Sequence, residues 1–259
     1  MSGTVAEASI PVYIDDDRTR WCVLRVRRER KGRPLVKRPM RDRTRGLPGC
    51  AGLAVIGLFH PMLATAQRAD SIDYLSPLEA AIVREHNLAR TQPAQYAAYL
   101  EETIPRYDGP RLWVAERVYR INREGASAVR EAVDFLRAVE PVPPVSASRG
   151  MSLGARDHVQ DQGPKGTTGH AGSDGSQAWD RVSRYGEWQV AIAENISYGY
   201  GVAREVVMQF IIDDGVADRS HRSNVFSREV RVLGVACGPH ARFDTVCTIT
   251  YAGGFSERR

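Results

Sequence analysis

The sequence predicts an α+β domain in which helices cover a small antiparallel sheet. Helical spacing of apolar residues dominates its middle part, whereas β-rich segments close the chain on either side of a Gly-Pro turn signal. A length of 259 residues with 42% hydrophobic residues is sufficient to bury a core of ordinary size.

The first predicted helix has a well-defined start. Ser76 can cap it, Pro77 suits its first position, and Glu79 completes a capping box. Pro93 interrupts the helical pattern. Further helices are predicted at 94–102, 127–139, 148–163 (stopped by Gly163-Pro164), 178–186 and 203–215 (ended by Gly215). The mixed segment 103–124 has no assignment and is interpreted as an insertion that could cover a cleft.

The predicted strands lie near the C-terminus. Residues 188–199 are expected to be extended, and VLGVAC (232–237) and TVCTITYA (245–252) are expected to form a hairpin. Cys237 and Cys247 are equidistant from Arg242, so they can face each other across this hairpin. A disulfide between them would contribute about 2–3 kcal/mol in the chain-entropy model, and two free thiols are the alternative.

The first 66 residues are interpreted as a leader. They carry 13 of the 36 basic residues and 6 of the 31 acidic ones, so the rest of the chain is slightly acidic and nucleic-acid binding is not expected. A basic block, the apolar run 50–63 and an Ala-Thr-Ala site predict a signal peptide at 40–66. Residues 1–39 would then be a disordered or misannotated extension, and 67–259 the mature domain. We expect secretion or a periplasmic location, with only transient membrane contact through the signal peptide.

Chemistry-bearing residues concentrate between Glu194 and Asn224. This stretch holds Glu194-Asn195, an apolar helix ending in Asp213-Asp214, and His221-Arg222. His170 lies upstream in a glycine-rich loop (163–176), which lacks the Lys-Ser/Thr ending of a phosphate-binding loop.

The order of these motifs resembles the CAP superfamily of cysteine-rich secretory, antigen 5 and pathogenesis-related 1 proteins, which includes bacterial SCP-like extracellular proteins. The resemblance rests on HNLAR in the first helix, the Gly-His pair, AEN, a helix ending in an acid, HR-x-N and the closing G-V-x-C-G, and it spans about residues 78–255. It implies an α-β-α sandwich with two histidines and two acids in a cleft: His170, Glu194, His221, and Asp213 or Asp214. The family usually has Glu at the second acidic position and Gly where this chain has Ser220.

Two imidazoles and two carboxylates can serve three purposes. They can bind a divalent cation such as zinc, with His170 and His221 as ligands and water completing the shell. They can act as general acid and base. They can also form a hydrogen-bonded network that orders the cleft. Structural roles are expected for the remaining polar residues: Asn195 for the turn, Arg222 and Asn224 for the segment after His221, His86 and Asn87 for helix packing, His158 on a helix surface, His240 in the hairpin turn, and Asp180 and Arg181 in loop and cap contacts.

The sequence therefore favours a binding module over an enzyme. The expected partner is a lipid-like or small apolar ligand, or an extracellular protein. No cofactor is required, although a divalent cation could bind in the cleft. The alternative is a metal-dependent hydrolase that uses the same residues; neither HExxH nor G-x-S-x-G occurs in the mature chain.

Overall fold

A computed structural model describes residues 25–26, 73–116 and 118–258. The helices are α1 (Pro77–Thr91), α2 (Pro93–Glu101), α3 (Ala126–Ala138), α4 (Arg149–Lys165), α5 (Ala178–Ser183), α6 (Ala203–Ile212) and α7 (Ser220–Phe226). The strands are β1 (Arg25–Val26), β2 (Tyr107–Asp108), β3 (Arg111–Ala115), β4 (Val118–Ile121), β5 (Ser146–Ala147), β6 (Gly186–Tyr198), β7 (Val232–His240) and β8 (Asp244–Glu257). The predicted signal peptide and, apart from 25–26, the N-terminal extension lie outside these residues.

The main sheet has the strand order β1-β6-β8-β7-β5. The three long strands pair antiparallel, as predicted, but β5 pairs with β7 in parallel. Ser146 donates its N–H to the carbonyl of Arg231, and Ser148 donates to that of Leu233, at 3.0 and 2.8 Å. The sheet is therefore antiparallel through its long strands and parallel at this edge, because the segment after the proline-rich stretch joins the sheet before α4 begins.

Side chains alternate between the two faces of the sheet, and each face packs against its own layer of helices. Because successive strand residues point to opposite faces, Leu233, Val235, Ile249 and Tyr251 pack with the apolar residues of α1, α2, α3, α6 and α7. Their neighbours Val232, Ala236, Val246 and Ala252 instead pack with Met151, Ala155, Val159 and Val182 of α4 and α5. The predicted α+β class and α-β-α sandwich are confirmed.

Helix α4 approaches the sheet closely at Gly234. A Cβ atom built there would lie 2.2 Å from the backbone carbon of Met151 and 2.4 Å from the Ser152 nitrogen. Neither atom belongs to a flexible side chain, so only glycine permits this approach. The same helix runs past its predicted stop, because Pro164 lies in its last turn and Gly166, at φ +63°, ends it.

Helix α1 begins as predicted and is tied to the sheet by polar side chains. Ser76 and Glu79 form the capping box. His86 donates from Nδ1 to the Ile82 carbonyl at 3.0 Å, so its Nε2 accepts from the Tyr251 hydroxyl at 2.7 Å. Asn87 bonds both the N–H and the carbonyl of Val145. Burial lowers the pKa of His86 to about 4, so this residue is a neutral packing element.

The C-terminal hairpin has the predicted register. Cys237 lies opposite Cys247 and the two form a disulfide. His240 ends β7 beside the turn but is buried: its Nδ1 accepts the N–H groups of Arg242 and Phe243, and its Nε2 donates to the Thr167 carbonyl. The hairpin turn is thereby joined to the loop that leads to His170.

The unassigned insertion at 103–124 forms a small sheet of its own. After a 3₁₀ turn at Ile104–Arg106, strands β2, β3 and β4 pair antiparallel in sequence order. Trp113 and Tyr119 meet edge to face on adjacent strands, with ring centroids 5.2 Å apart. Because the strands are short and half-exposed, their sequence carries little periodicity. No helix in the described part of the chain is long and apolar enough to cross a membrane.

The close packing of α4 yields a stability prediction. Gly234→Ala should lower the free energy of unfolding by about 2–3 kcal/mol, because the new methyl group overlaps backbone atoms of α4. Exposed Gly201 has no atom within 4 Å of a built Cβ, so Gly201→Ala should change it by less than about 0.5 kcal/mol. Urea denaturation of both variants measures the difference; equal stabilities would contradict the close approach.

Candidate functional site

A cavity of about 220 Å³ lies where the insertion meets the main domain. It is bounded by the C-terminal half of β6, helix α6, the start of α7 and the loop that carries His170. Its apolar and aromatic lining comprises Tyr107, Leu112, Val114, Ile121, Ile196, Tyr198, Tyr200, Met208, Phe210, Ile212, Val216 and Phe243. Of the predicted site residues, His170, His221, Asp213 and Asp214 line this cavity and Glu194 does not.

His170 is held from behind by a buried ion pair. Its Nδ1 lies 2.9 Å from Oε1 of Glu194, and Arg181 binds both carboxylate oxygens of Glu194, at 3.0 and 2.8 Å. Arg181 also donates to the carbonyls of His170 and Ser176. Glu194 and Arg181 are each only 2% exposed, so both charges depend on each other for compensation.

Glu194 therefore supports the site without lining the main cavity. Burial by itself raises the pKa of its carboxyl, but the Arg181 guanidinium and the His170 hydrogen bond outweigh burial and bring the pKa down to about 2. The carboxyl is ionised at neutral pH. Strand alternation turns this side chain towards α5, where Glu194 and His170 together line a smaller adjoining pocket.

The residue before His170 is anchored through its backbone. The Gly169 carbonyl accepts hydrogen bonds from His158 and Gln162, and its N–H donates to the Tyr198 hydroxyl at 3.0 Å. Tyr198 in turn donates to Gln162 at 2.8 Å. His158 was expected on a helix surface; it is fully buried, and burial lowers its pKa. The loop carrying His170 contacts this ring through the Gly169 carbonyl, at 2.9 Å from Nε2.

His221 is held by Asp213, and this contact decides between the two candidate aspartates. Its Nδ1 lies 2.7 Å from Oδ1 of Asp213, and Oδ2 accepts the backbone N–H groups of His221 and Arg222. Asp213 ends α6 in the left-handed conformation (φ 54°), which Asp adopts more readily than most residues. Helix α6 thus stops before the predicted Gly215. Phe210 lies beneath His221, stacked at 27° with centroids 6.0 Å apart.

Asp214 points the other way, towards the insertion. Its carboxylate accepts the N–H groups of Arg123, Glu124 and Gly125, the residues that lead into α3. It therefore joins the end of α6 to the end of the insertion. Two adjacent aspartates serve two different elements.

The segment after His221 is tied down by three polar residues. Asn195 donates to the His221 carbonyl at 3.1 Å and accepts from Asn224 at 2.8 Å. Arg222 binds both oxygens of Glu131 on α3, at 2.6 and 2.7 Å, and donates to two carbonyls at the end of α6. Arg222 and Asn224 thus contact the segment after His221, whereas Asn195, which was expected to anchor the turn, contacts this same segment instead.

Each carboxylate fixes the proton on its histidine. Because an ionised carboxylate only accepts hydrogen bonds, Nδ1 carries the proton in each neutral ring and Nε2 is left with a lone pair. This tautomer is the one that a metal-binding histidine uses, with a carboxylate holding its other nitrogen. No three His, Cys, Asp or Glu side chains converge on one point among the described residues. A cation here would therefore use two imidazole nitrogens, and water or ligand for the rest.

Sequence reasoning missed Arg181 and misplaced His158. Arg181 follows the capping residue Asp180 by one position, so it was assigned to cap chemistry together with that residue. The available signal was the spacing of α5 itself: Ala178, Arg181 and Val182 form its buried face, which places an arginine where an apolar residue is expected.

The ion pair behind His170 yields a prediction with a neighbouring control. Arg181→Gln should lower the free energy of unfolding by about 3–5 kcal/mol, since it leaves the buried Glu194 carboxylate without its cationic partner. Arg184, on the same turn, has a side chain that is 44% exposed and pairs with Asp157 and Asp174. Arg184→Gln should cost less than about 1 kcal/mol. Chemical denaturation compares the two.

A double variant tests whether the uncompensated Glu194 charge causes the loss of stability. Adding Glu194→Gln to Arg181→Gln should recover part of the lost stability, because the uncompensated charge is then removed. Strictly additive losses in the double variant would show that Arg181 contributes through packing alone.

The chain is similar to an outer surface protein from Borrelia burgdorferi, at 12% identity and a TM-score of 0.36, with 46% of this chain and 80% of that chain covered. It is also similar to an extracellular SCP-domain protein from Bacillus anthracis str. Ames, at 15% identity and a TM-score of 0.35, with 49% of this chain and 37% of that chain covered. No curated protein matches it. The family model for CAP, the cysteine-rich secretory protein family, matches residues 84–251, well over half of the sequence. The chain belongs to the CAP family.

Proposed function

We propose that this protein is an exported binding module that holds a small, largely apolar ligand in the cavity beside β6. The observation that carries this proposal is the composition of the cavity wall. Twelve of its 26 lining residues are apolar or aromatic, and His170 and His221 are the two imidazoles that reach it. Small-molecule sites are typically concave, mostly apolar, and equipped with a few well-placed polar groups.

The insertion makes the cavity deep enough for such a ligand. Tyr107, Leu112, Val114 and Ile121 of the insertion line one side, opposite residues of α6. Burial raises the pKa of the Tyr107 hydroxyl, so Tyr107 remains neutral in this wall. A ligand that filled the space would be shielded from water by a segment outside the main sheet.

A divalent cation such as zinc is the proposed optional component. The Nε2 lone pairs of His170 and His221 are the donors it would use, and Glu194 and Asp213 would remain on the Nδ1 side of the rings. Such a cation would attract a polar or anionic end of the ligand. The same set also suits a metal-dependent hydrolase, the alternative function, because a bound cation polarises carbonyl groups.

We also propose that the protein is exported. The signal-peptide pattern at 40–66 and the Cys237–Cys247 disulfide both suit a secreted or periplasmic protein. Membership in a family of secretory proteins supports the same assignment.

Filling the cavity tests the proposed function. A neutral fluorescent probe, N-phenyl-1-naphthylamine, should bind the parent protein, and Leu112→Trp should weaken its binding by about tenfold or more, because the larger side chain occupies the cavity. Val118 lies on the same small sheet but is 46% exposed and does not line the cavity, so Val118→Trp is the matched control. Fluorescence titration provides the affinities. Equal weakening by both variants, or no probe binding to the parent, would contradict a ligand cavity.

The cation is tested separately. Zinc should raise the unfolding temperature of the parent by about 2–4 °C for each kcal/mol of binding free energy. The increase should vanish in His170→Ala and in His221→Ala, whereas magnesium, which prefers oxygen ligands, should have no effect. The zinc-dependent difference within each variant is compared, so any loss of basal stability cancels. A zinc shift that survives both substitutions would place the cation elsewhere.

The hydrolase alternative predicts zinc-dependent catalysis. Zinc-dependent turnover of p-nitrophenyl octanoate should then be lost in both histidine variants and retained in Val118→Trp. Zinc binding without turnover leaves the binding module as the function.

A further inference from the structure

Arg120 is a partly buried cation that lines the cavity with little charge compensation. It lies on β4 of the insertion and lines the cavity wall, and its side chain is 18% exposed. One terminal nitrogen, Nη2, donates to the Gly199 carbonyl at 2.9 Å. The other, Nη1, is buried and has no hydrogen-bond partner. A buried donor without an acceptor costs about 1–3 kcal/mol, and more for a charged group.

The nearest carboxylate does not satisfy Arg120. Oε2 of Glu205 is 3.9 Å from Nη2, which is beyond hydrogen-bond distance, and the Glu205 side chain is 39% exposed. The acids elsewhere in the cavity wall are already engaged, Asp213 by His221 and backbone N–H groups, and Asp214 by three backbone N–H groups. Solvent screening leaves the Glu205 pair weak.

Two fully buried arginines provide a contrast. Arg90 donates to four backbone carbonyls. Arg222 binds the Glu131 carboxylate twice and two further carbonyls. Both are less than 4% exposed and act as structural connectors. Arg120 has one carbonyl partner and an open cavity beside it.

The guanidinium plane is also held in place. Tyr200 lies against it, with the guanidinium carbon 3.8 Å from the ring centroid. A stacked guanidinium keeps its N–H fork in a fixed orientation, which suits two-point binding of a carboxylate or phosphate. Arg106 and Arg123 of the same insertion line the cavity as well and add positive potential.

We propose that Arg120 forms an anion-binding subsite of this cavity, so that the preferred ligand carries a carboxylate or phosphate group. The inference rests on the proposed ligand cavity and adds the chemical class of what occupies it. The anion supplies the counter-charge that Glu205, at 3.9 Å, does not provide at hydrogen-bond distance, and an apolar body attached to it lies against the surrounding wall.

Calorimetric titration of the full chain tests the subsite with three probes. Octanoate carries an anion and an apolar tail, 1-octanol carries the tail alone, and inorganic phosphate carries the anion alone. Octanoate should bind the parent about tenfold more tightly than 1-octanol, since hydrogen bonds to a charged group are worth about that much. Phosphate binding as tight as that of octanoate would identify a free anion as the ligand.

Substitution of Arg120 provides the second comparison. Arg120→Gln should reduce octanoate affinity by about tenfold and leave 1-octanol affinity unchanged, while Arg120→Lys, which keeps the charge but loses the planar fork, should be intermediate. Arg111 is the matched control. It lies on the same small sheet, does not line the cavity, and has a side chain that is 51% exposed, so Arg111→Gln should change octanoate affinity less than about twofold.

The outcomes separate the subsite from the proposed function. Equal binding of octanoate and 1-octanol to the parent, which requires no variant to fold, overturns the anion subsite and leaves an apolar cavity. Equal effects of Arg120→Gln and Arg111→Gln overturn it as well. If neither octanoate nor 1-octanol binds, the apolar cavity fails and phosphate decides the subsite: binding that Arg120→Gln abolishes supports it, and no binding overturns it.

Discussion

The buried ion pair between Arg181 and Glu194 is the interaction on which the site depends most directly. It joins α5, β6 and the loop that carries His170 through hydrogen bonds that leave both carboxylate oxygens occupied. Its worth is asymmetric, because an intact buried pair adds little net stability whereas removal of one partner leaves an expensive charge. The pair therefore does more to specify the position of His170 than to stabilise the fold.

The same principle recurs at His221 with different components. There the Asp213 carboxylate accepts backbone N–H groups at the start of α7, and Arg219 donates to the Asp213 backbone carbonyl. In both places a carboxylate fixes the ring tautomer and directs the Nε2 lone pair away from itself. Adjacent residues of β6 supply the connections to both histidines: Glu194 contacts His170 on one face, and Asn195 contacts the His221 carbonyl on the other. Strand alternation thus lets one short segment support two rings.

The insertion converts this polar pair of rings into one wall of a cavity. Its small sheet is joined to the main domain by Arg120 at Gly199, and by Asp214 at the residues leading into α3. Further ion pairs from Arg219 to Glu124 and Glu131 brace the same junction. A chain without residues 103–124 would present His170 and His221 on a more open surface. The cavity wall is accordingly formed in part by a segment that has no regular sequence pattern.

Local sequence patterns determined the main elements of this protein. The capping box of α1, the amphipathic spacing of α3, and the hairpin with its symmetric cysteines each depend on residues close in sequence, and each was predicted correctly. The motif order also indicated the family and predicted His170 and His221 as cleft residues. The tertiary structure determined which side chains contact each other. Glu194 turned out to be a supporting residue, Asp213 and not Asp214 pairs with His221, and His158 and Arg181 are buried. These outcomes depend on which strand faces, helices and loops contact each other in the folded chain. The burial of a charged residue cannot be predicted from its local sequence, because the partner that compensates its charge is distant in sequence.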